Sequence, residues 1–475
     1  MPIFFVKIHL CKKYICRKWY IYKKINMKNL KQNKHLIFSC LLLLNCVYGF
    51  ATVYEVGLSK AYLTPNALYN ANVLQNGDTI EIEAGNYIGT DALAVWLADD
   101  LVIKGVGGRP HLQANGQYIW GKGIWVIAGN NATVENIEFS GAAVPSLNGA
   151  GIRLDGFGLT VRHCYFHNNE NGILTINTPN AGDILVEYCE FGYNGYGDGY
   201  SHNIYVNQAA SFTFRYNYSH HANVGHCVKS RANENYIYYN RIMDEQTGIA
   251  SRLIDISNGG FSIIMGNLLM QGELATNNNL IGYGLEELTN SAAELYVVNN
   301  TMLNKRAASC IFLWIQSGTS VANVSNNIFG GTGTIINGTT TSYSNNYINT
   351  NINTINFVDE PNFDYNLNEF SPAVDFGTAL PSAGGYSFTP DKMYAHPTNF
   401  DTRVISNGII DAGAYEYGSN VIPPAAANCE TSIEMGDFCV HDSAYGVILT
   451  APNGNCFRLK VTNSGELTTE PVECP

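Results

Sequence analysis

The hexapeptide IYYNRI, residues 237–242, is one copy of a pattern that occurs nine times in the chain of 475 residues. Each copy begins with an apolar or aromatic residue, and the fourth position is Asn in six of the nine copies. The copies begin at Val134, Val161, Val186, Phe214, Ile237, Ile264, Val297, Val324 and Tyr343. Neighbouring copies start 19 to 33 residues apart, with a mean of about 26, which indicates a repeat architecture.

The repeat predicts a β-solenoid. Between the hexapeptides, segments such as HNIYVN (202–207) and RLIDIS (252–257) alternate with the period of two that is typical of strands. A leucine-rich solenoid is the rival, but the chain lacks its Leu-dense consensus. Coils of a β-solenoid stack about 4.8 Å apart, so equivalent side chains form columns, and a buried Asn needs a partner. The sequence therefore predicts a structural Asn ladder of Asn217, Asn240, Asn267, Asn300, Asn327 and Asn346.

These features resemble the right-handed parallel β-helix superfamily, which includes pectate-lyase-like proteins. The resemblance covers residues 52–418, where NGDTIEIEAGNY (76–87) is similar to a first coil and TPNALYNANVLQ (64–75) to the short helix that caps it. NEFSPAVDFG (368–377) and DTRVISNGIIDAGAYEYG (401–418) resemble the closing turns of exported bacterial members. The resemblance implies an all-β fold, a right-handed parallel β-helix of about ten coils, and says less about function.

The first 51 residues differ in composition from the rest, with ten Lys or Arg and no Asp or Glu. From Met27, a basic start is followed by the apolar run 36–44 and by the small residues Gly49 and Ala51, the pattern of a secretory signal. The apolar run is short for a membrane anchor. We therefore expect a protein that is secreted, periplasmic or on the cell surface, with residues 1–26 as an upstream extension.

Net charge restricts the class of partner. Without residues 1–51 the chain keeps 27 − 10 = 17 basic residues and all 39 acidic residues, a net charge of −22. A general nucleic-acid binder would be basic, so nucleic acid is not expected as a partner. No later segment has the length and hydropathy expected of a stable membrane span. A site for an anionic ligand would need its cations gathered locally, against the overall field.

Cysteines define a second region at the C-terminal end. After a predicted linker, 419–428, the segment 429–475 contains four cysteines, which in an exported chain predict a small disulfide-stapled β module. The candidates, which allow three connectivities, are Cys429, Cys439, Cys456 and Cys474. Zinc is less favoured because C-x-x-C pairs are absent. Cys164 and Cys189 occupy the same column on adjacent coils. They are expected either to stack as free thiols or to form a disulfide between the coils.

One outer face of the predicted solenoid gathers polar residues of several kinds. Ile152, Ile204, Val228 and Ile254 are aligned as equivalent inward positions, and the residues around them then fall on neighbouring coils. A slip of one residue would exchange the two faces. The predicted catalytic residues are His202, Tyr205, His226, Lys229, Arg231 and Asp255. The predicted substrate-binding residues are Arg153, Arg252 and Asn258.

Such a cluster matches the chemistry of uronate β-elimination. A cation neutralises the sugar carboxylate, a base takes the proton from the neighbouring carbon, and an acid protonates the leaving oxygen. Lys or His can serve as base, Tyr or His as acid, and Arg as the carboxylate partner. The superfamily resemblance implies the same, because its lyases of the chondroitin and alginate type use a Lys and an Arg on this kind of face. Lys229 with Arg231 or Arg252 is similar in residue type and in placement on neighbouring coils.

Several alternatives stay open, among them an epimerase that uses the same residues. Glycoside hydrolysis needs two carboxylates at a defined separation, with Asp255 and either Asp155 or Glu286 as candidates. A glycan-binding or adhesin-like protein would use the Tyr-rich groove without chemistry. The cluster could also consist of surface ion pairs that contribute little. No metal site is predicted, but calcium stays open as a cofactor because Asp155, Asp255, Glu286 and Glu287 supply carboxylates.

Overall fold

In the computed structural model, three parallel sheets follow one stack of coils. The structure describes residues 51–177, 181–382, 385–405 and 408–419, together with three strands of the C-terminal segment. The sheets have 12, 10 and 11 strands, which confirms the predicted all-β parallel solenoid of about ten coils. Each strand pairs with the equivalent strands one coil before and one coil after, as Phe214 pairs with Ile237 and Ile237 with Ile264.

The strands of each sheet follow one another along the stack. Sheet 1 contains Val53–Val56, Thr79–Glu83, Val102–Val106, Ala132–Glu135, Leu159–Arg162, Asp183–Glu187, Ser211–Arg215, Glu234–Tyr238, Gly260–Met265, Ala293–Val298, Val321–Ser325 and Ser342–Ser344. Sheet 2 contains Ala94–Trp96, Gly123–Ile127, Ala150–Leu154, Asn171–Thr175, Ile204–Val206, Val228–Ser230, Ile254–Ile256, Asn279–Tyr283, Cys310–Ile315 and Gly333–Asn337. Sheet 3 contains Asn86–Ile88, His111–Gln113, Glu138–Ser140, Tyr165–His167, Glu190–Gly192, Tyr218–His220, Arg241–Met243, Leu268–Gln271, Thr301–Asn304, Ile328–Gly330 and Tyr347–Asn349.

Short elements complete the described chain. The helix Pro65–Ala71 begins after Thr64, whose hydroxyl accepts the N–H of Ala67 at 3.1 Å, and its Leu68 is fully buried against the first coils. Three 3-10 turns are Gly89–Ala92, Ile352–Ile355 and Glu360–Asn362. Antiparallel pairs join Phe357–Asp359 to Asp364–Leu367 and Lys392–Ala395 to Asn399–Thr402. Val447–Thr450, Cys456–Val461 and Leu467–Val472 form a three-stranded antiparallel sheet.

The corner between sheet 1 and sheet 3 lies at the third position of the repeated hexapeptide. This residue adopts a left-handed backbone conformation in every copy, with φ between 49° and 67°. The residues are Asn136, His163, Tyr188, Tyr216, Tyr239, Gly266, Asn299, Asn326 and Asn345. Asn and Gly tolerate this region at low cost. The three tyrosines stack on one another, with ring centroids 5.1 Å and 5.9 Å apart, which offsets the strain of a bulky residue there.

The predicted Asn ladder follows directly after this corner. Asn240 donates its Nδ2–H to Asn267 Oδ1 at 2.9 Å, and its backbone N–H donates to the same oxygen at 3.0 Å. The same pair of bonds links each of the six residues to the next, from Asn217 to Asn346. Each amide also donates to a backbone carbonyl of the preceding coil, as Asn240 does to Phe214 O at 2.8 Å. The ladder is confirmed, and Asn240 is a structural residue.

Cysteine continues the ladder column in the earlier coils. Cys189 donates its N–H to Asn217 Oδ1 at 2.8 Å, and Cys164 donates its N–H to Cys189 Sγ at 3.4 Å. Both cysteines are buried free thiols, so the structure has the stacked pair and not the disulfide. Burial raises the pKa of the Cys189 thiol well above its ordinary value. Inside the coils, Phe139, Phe166 and Phe191 stack at 5.0 Å and 4.9 Å.

The segments that resemble closing turns pack along the side of the coils. Ala414 N–H donates to Thr301 Oγ1 at 3.0 Å, and the ring centroid of Phe400, the residue just before the segment 401–418, lies 4.6 Å from that of Tyr216. The fully buried Arg403 pairs with Glu416 at 2.8 Å and donates to the Gly413 carbonyl at 3.0 Å. This segment therefore covers the stacked tyrosines of the corner and reaches back over coils near the middle of the stack.

Some sequence predictions fall outside the described residues. The predicted signal and the predicted linker lie almost wholly outside the described residues. The same holds for Cys429, Cys439, Cys474 and the side chain of Cys456, so the disulfides of the C-terminal module stay a prediction. None of the helices in the described part of the chain has the length and hydropathy needed to cross a bilayer.

The ladder makes a stability prediction. Replacing Asn267 by Leu leaves at least two buried groups, including the Asn240 N–H and the Ile237 carbonyl, without the partner that Asn267 provides. Each such group costs about 1–3 kcal/mol, so we expect the free energy of unfolding to fall by roughly 2–6 kcal/mol. Urea unfolding followed by circular dichroism measures this change. Asn346→Leu is the control at the half-buried last rung, where water can replace the amide, and an equal loss in both variants would contradict the prediction.

Candidate functional site

A column of outward side chains runs along the outer face of sheet 2, with one residue contributed by each coil. In stacking order this column contains Arg153, Leu174, Tyr205, Lys229 and Asp255. The predicted adjacency of Tyr205, Lys229 and Asp255 is therefore present. The predicted adjacency of Arg153 and Tyr205 is wrong, because the coil of Leu174 lies between them. The sequence alignment passed over that coil because its outward residue is apolar and gave no polar signal.

Asp255 is the anion at the centre of the cluster. Its carboxylate is 1% exposed, and it receives hydrogen bonds from Arg252 Nη1 at 3.0 Å and Ser257 Oγ at 2.6 Å. Lys229 Nζ lies 3.5 Å from Asp255 Oδ2, and His226 Nε2 lies 3.7 Å from the same oxygen. A buried carboxylate among this many donors is held immobile, so Asp255 positions the cations around it.

A second carboxylate closes the cluster from outside. Glu286 follows the strand Asn279–Tyr283, and its backbone N–H donates to the Ser257 carbonyl at 3.1 Å, which holds the loop over sheet 2. Its Oε1 lies 2.7 Å from Lys229 Nζ, and its Oε2 accepts a hydrogen bond from Arg231 Nη2. Partial burial alone would raise the pKa of the Glu286 carboxyl, but the hydrogen bonds from Lys229 and Arg231 outweigh burial and lower it.

Arg231 connects the cluster to the neighbouring coils. Its Nε donates to Tyr205 Oη at 2.7 Å, and its Nη1 donates to Asn258 Oδ1 at 2.7 Å. Asn258 is in turn held by a hydrogen bond to Thr289 Oγ1 at 2.6 Å. The guanidinium group is fixed on three sides, and the Tyr205 oxygen faces a permanent positive charge.

His202 and His226 form a ladder of their own along sheet 2. The backbone N–H of His226 donates to His202 Nδ1 at 2.9 Å, and the backbone N–H of Arg252 donates to His226 Nδ1 at 3.0 Å. The two rings stack with centroids 4.8 Å apart. Burial lowers the pKa of both imidazoles well below the ordinary value, so both are neutral at pH 7. Because each Nδ1 accepts a backbone bond, the proton is on Nε2, and the geometry favours a positioning role.

A groove continues from the cluster toward the earlier coils. Its volume is about 500 Å³, and Tyr205 belongs both to the groove and to the cluster. Arg153 lies at the other end of the outward column, where its Nε donates to Asp155 Oδ1 at 2.9 Å. The groove is lined by Ser146, Leu147, Asn148, Arg153, Asn171, Leu174, Asn177, Asp198, Tyr200, Tyr205 and Asn207. The predicted site residues thus occupy one continuous face.

The carboxylates considered for calcium do not form a cluster among the described residues. Asp155 is paired with Arg153, and Asp255 and Glu286 each contact at least two cationic side chains. Calcium binds best where several oxygen ligands converge without competing cations. These residues therefore do not favour a calcium site.

The sequence indicated Glu286 only as a carboxylate for hydrolysis or for calcium binding. It did not indicate that Glu286 contacts Lys229 and Arg231. The signal that could have found it is the segment GLEEL (284–288), in which acidic residues directly follow a strand next to a cationic column. The hydrogen bond from Ser257 to Asp255 depends on side-chain packing, which strand periodicity does not determine.

Comparison with known proteins supports the fold. Residues 112–252 match a family profile described as a right handed beta helix region. That segment contains Arg153, Tyr205, Lys229 and Arg231, whereas Asp255 and Glu286 lie beyond it. No curated protein and no solved structure matches the chain significantly. A fold of this kind is consistent with proteins that act on carbohydrates.

The buried histidines make a pH prediction. An unfolded His takes up a proton below about pH 6.5, whereas folded His202 and His226 do not, so stability is full above that pH and falls as the pH decreases. Between pH 7 and pH 5, each buried histidine lowers the free energy of unfolding by up to about 2 kcal/mol. We expect His202→Asn, which keeps an acceptor for the His226 N–H, to lose less stability than wild type between these pH values. Urea midpoints at both pH values measure the difference, and equal losses would contradict it.

Proposed function

We propose that this chain, a member of the right-handed β-helix superfamily, binds an acidic polysaccharide along the outer face of sheet 2 and cleaves it by β-elimination. The observation that carries the proposal is the carboxylate of Glu286, which is held by Lys229 and Arg231 together. A uronate carboxylate has the same charge and the same two oxygens. A substrate could therefore take the place of Glu286 and keep both cations satisfied.

The charge count supports this exchange. Three fixed cations, Lys229, Arg231 and Arg252, face two carboxylates, Asp255 and Glu286, so the excess is 3 − 2 = 1 positive charge. When the side chain of Glu286 swings away, the excess becomes 3 − 1 = 2 positive charges. Glu286 is 44% exposed and can leave, whereas Asp255 is 1% exposed and cannot. The cluster then attracts an anion in a chain whose overall charge is strongly negative.

Proton transfer is assigned to Tyr205. Its hydroxyl accepts a hydrogen bond from Arg231 Nε, so its own proton points elsewhere, and a guanidinium donor stabilises negative charge that develops on the phenol oxygen. In the elimination step Tyr205, acting as the phenolate that Arg231 stabilises, takes the proton from the carbon next to the carboxylate, a C=C bond forms, and the bond to the leaving oxygen breaks. That oxygen takes a proton from Tyr205, and no water is consumed.

The groove supports a polymeric substrate. The column from Arg153 to Lys229 spans three coil steps, or about 14 Å at about 4.8 Å per step. Tyr205 lies at the junction, so a sugar bound in the groove would place its neighbour at the cations. Tyr200, which is 84% exposed beside the groove, offers an apolar ring face to a sugar. The export signal predicted from the sequence would bring the chain to polysaccharides outside the cell.

Hydrolysis is less favoured by the same geometry. Asp155 and Asp255 lie about four coils apart, or about 19 Å, which exceeds the separation of about 5–9.5 Å that glycosidases use. Asp255 and Glu286 are close, but the Lys229 ammonium bridges them and occupies the space that a sugar ring would need. Binding without chemistry remains the alternative, because the same cations and groove would hold an acidic glycan that is not cleaved.

The first functional prediction concerns Tyr205 and Lys229. Full-length protein is incubated with a panel of uronate glycans, and ultraviolet absorbance reports unsaturated products. Tyr205→Phe should lower kcat by about 10²–10⁴-fold with a smaller change in KM, because it removes only the proton transfer. Lys229→Ala should lose both binding and turnover, whereas Lys104→Ala, which disrupts an ion pair with Glu81 on sheet 1, should match wild type.

Near-normal turnover of Tyr205→Phe would remove Tyr205 from this role. Retained binding by wild type without unsaturated products or new reducing ends would replace the lyase with a glycan-binding protein.

The second functional prediction concerns Glu286. Glu286→Gln removes the resident negative charge and should tighten binding of a uronate oligosaccharide by about tenfold, since the substrate no longer competes with it. Glu287→Gln is the neighbouring control. Calorimetry with the oligosaccharide measures the change, and weaker binding of Glu286→Gln would show that Glu286 helps substrate binding instead of competing with it.

A further inference from the structure

A second polar cluster lies on sheet 3, away from the column of sheet 2. The strands His111–Gln113, Glu138–Ser140 and Tyr165–His167 come from three successive coils. His111 pairs directly with Glu138, and Ser140 pairs with His167, so His111, Glu138 and His167 emerge on one face. One ligand atom from each of these three residues lies within 4.8 Å of the other two.

The distances suit a small four-coordinate metal ion. His167 Nε2 lies 2.9 Å from Glu138 Oε1, and His111 Nε2 lies 3.5 Å from the same oxygen. Zn²⁺ with bonds of about 2.0–2.1 Å in tetrahedral geometry places its ligand atoms about 3.3 Å from one another. The two observed separations lie on either side of that value, so small side-chain rotations would complete the site.

The surroundings of His167 orient it as a ligand. Its Nδ1 lies 2.8 Å from Asn168 Oδ1, an acceptor, so the ring proton belongs on Nδ1 and the Nε2 lone pair faces Glu138. Without a proton or a metal between them, that lone pair and the carboxylate oxygen would repel each other. The Tyr165 ring stacks on His167 with centroids 4.4 Å apart and fixes its plane.

His111 presents its Nε2 to the same point. Ser140 Oγ lies 2.7 Å from His111 Nε2 and closes one side of the cluster. The three side chains are 19% to 25% exposed, so an ion can enter and water can hold the fourth position.

We propose that His111, Glu138 and His167 bind a divalent transition metal, with Zn²⁺ as the ion that fits best. Two imidazoles and one carboxylate are a zinc donor set, whereas calcium and magnesium prefer oxygen ligands alone. The ion would tie together three coils near the N-terminal end of the solenoid. It does not depend on the elimination proposed for sheet 2, because the two clusters lie on different sheets.

The experiment measures metal binding and not turnover. Chelator-treated full-length protein is titrated with Zn²⁺ by calorimetry, and Co²⁺ absorption reports the coordination geometry. His167→Gln and His111→Gln should each bind one Zn²⁺ fewer per chain than wild type, and only wild type and the control should gain thermal stability on adding Zn²⁺. His163→Asn is the matched control, because His163 stacks on Tyr188 outside the cluster and its left-handed backbone suits Asn. Ca²⁺ should leave the stability of all variants unchanged.

A second pair of variants keeps the ligands and tests their orientation. Asn168→Gly removes the acceptor at a position with φ of 55° that Gly tolerates, and should weaken Zn²⁺ binding by about 10–100-fold. Asn168→Asp keeps an acceptor and should bind at least as tightly as wild type. Equal Zn²⁺ stoichiometry and affinity in wild type, His111→Gln and His167→Gln would overturn the proposal, as would a wild type that binds no Zn²⁺. In that case His167 and Glu138 form an ion pair only.

Discussion

The hydrogen bonds of the Asn ladder fix how each of its coils stacks on the next. Between neighbouring Asn rungs, the amide oxygen of the later residue accepts two N–H groups from the earlier one, namely its backbone N–H and its amide N–H. Because the ladder follows a left-handed residue, it holds the corner between sheets 1 and 3 in the same place on the coils from Asn217 to Asn346. Coils of 19 to 33 residues can then differ in their loops without losing register, and residues far apart in sequence become fixed neighbours.

That register builds the charged cluster of sheet 2. Lys229, Asp255 and Glu286 come from three coils, yet they meet within hydrogen-bonding or ion-pair distance. Ion pairs at an exposed surface contribute little, but a carboxylate that is 1% exposed among cations has lost its water and must keep its partners. The interior of the cluster is therefore rigid. Of its two carboxylates, Glu286 lies on the outside, where solvent or a ligand can replace it. Rigid cations with a replaceable anion make a binding site for an anionic ligand.

Much of this organisation could be predicted from the sequence, and the failures have physical causes. The Asn column and the adjacency of Tyr205, Lys229 and Asp255 followed from periodicity, because strands repeat with a fixed period and stack at a fixed spacing. Arg153 was placed one coil too close, since an apolar outward residue such as Leu174 carries no polar signal. The segment GLEEL (284–288) places acidic residues near the cationic column, but the sequence does not show which of them contacts the cations, because a loop after a strand has no period and its path depends on the backbone bond to Ser257.

The architecture, the ladder and the cations on one face follow from the amino-acid sequence alone, since they depend on repeated local patterns. The folded chain sets the hydrogen bonds of His202 and His226 and brings the carboxylate of Glu286 to Lys229 and Arg231. It also brought His111, Glu138 and His167 together on sheet 3. Those three residues are 27 and 29 positions apart along the chain, and nothing in their local sequence marks them as neighbours. Stacking places residues that are one coil apart in sequence on adjacent strands, about 4.8 Å from each other. The register of the folded coils then decides which of these residues face each other.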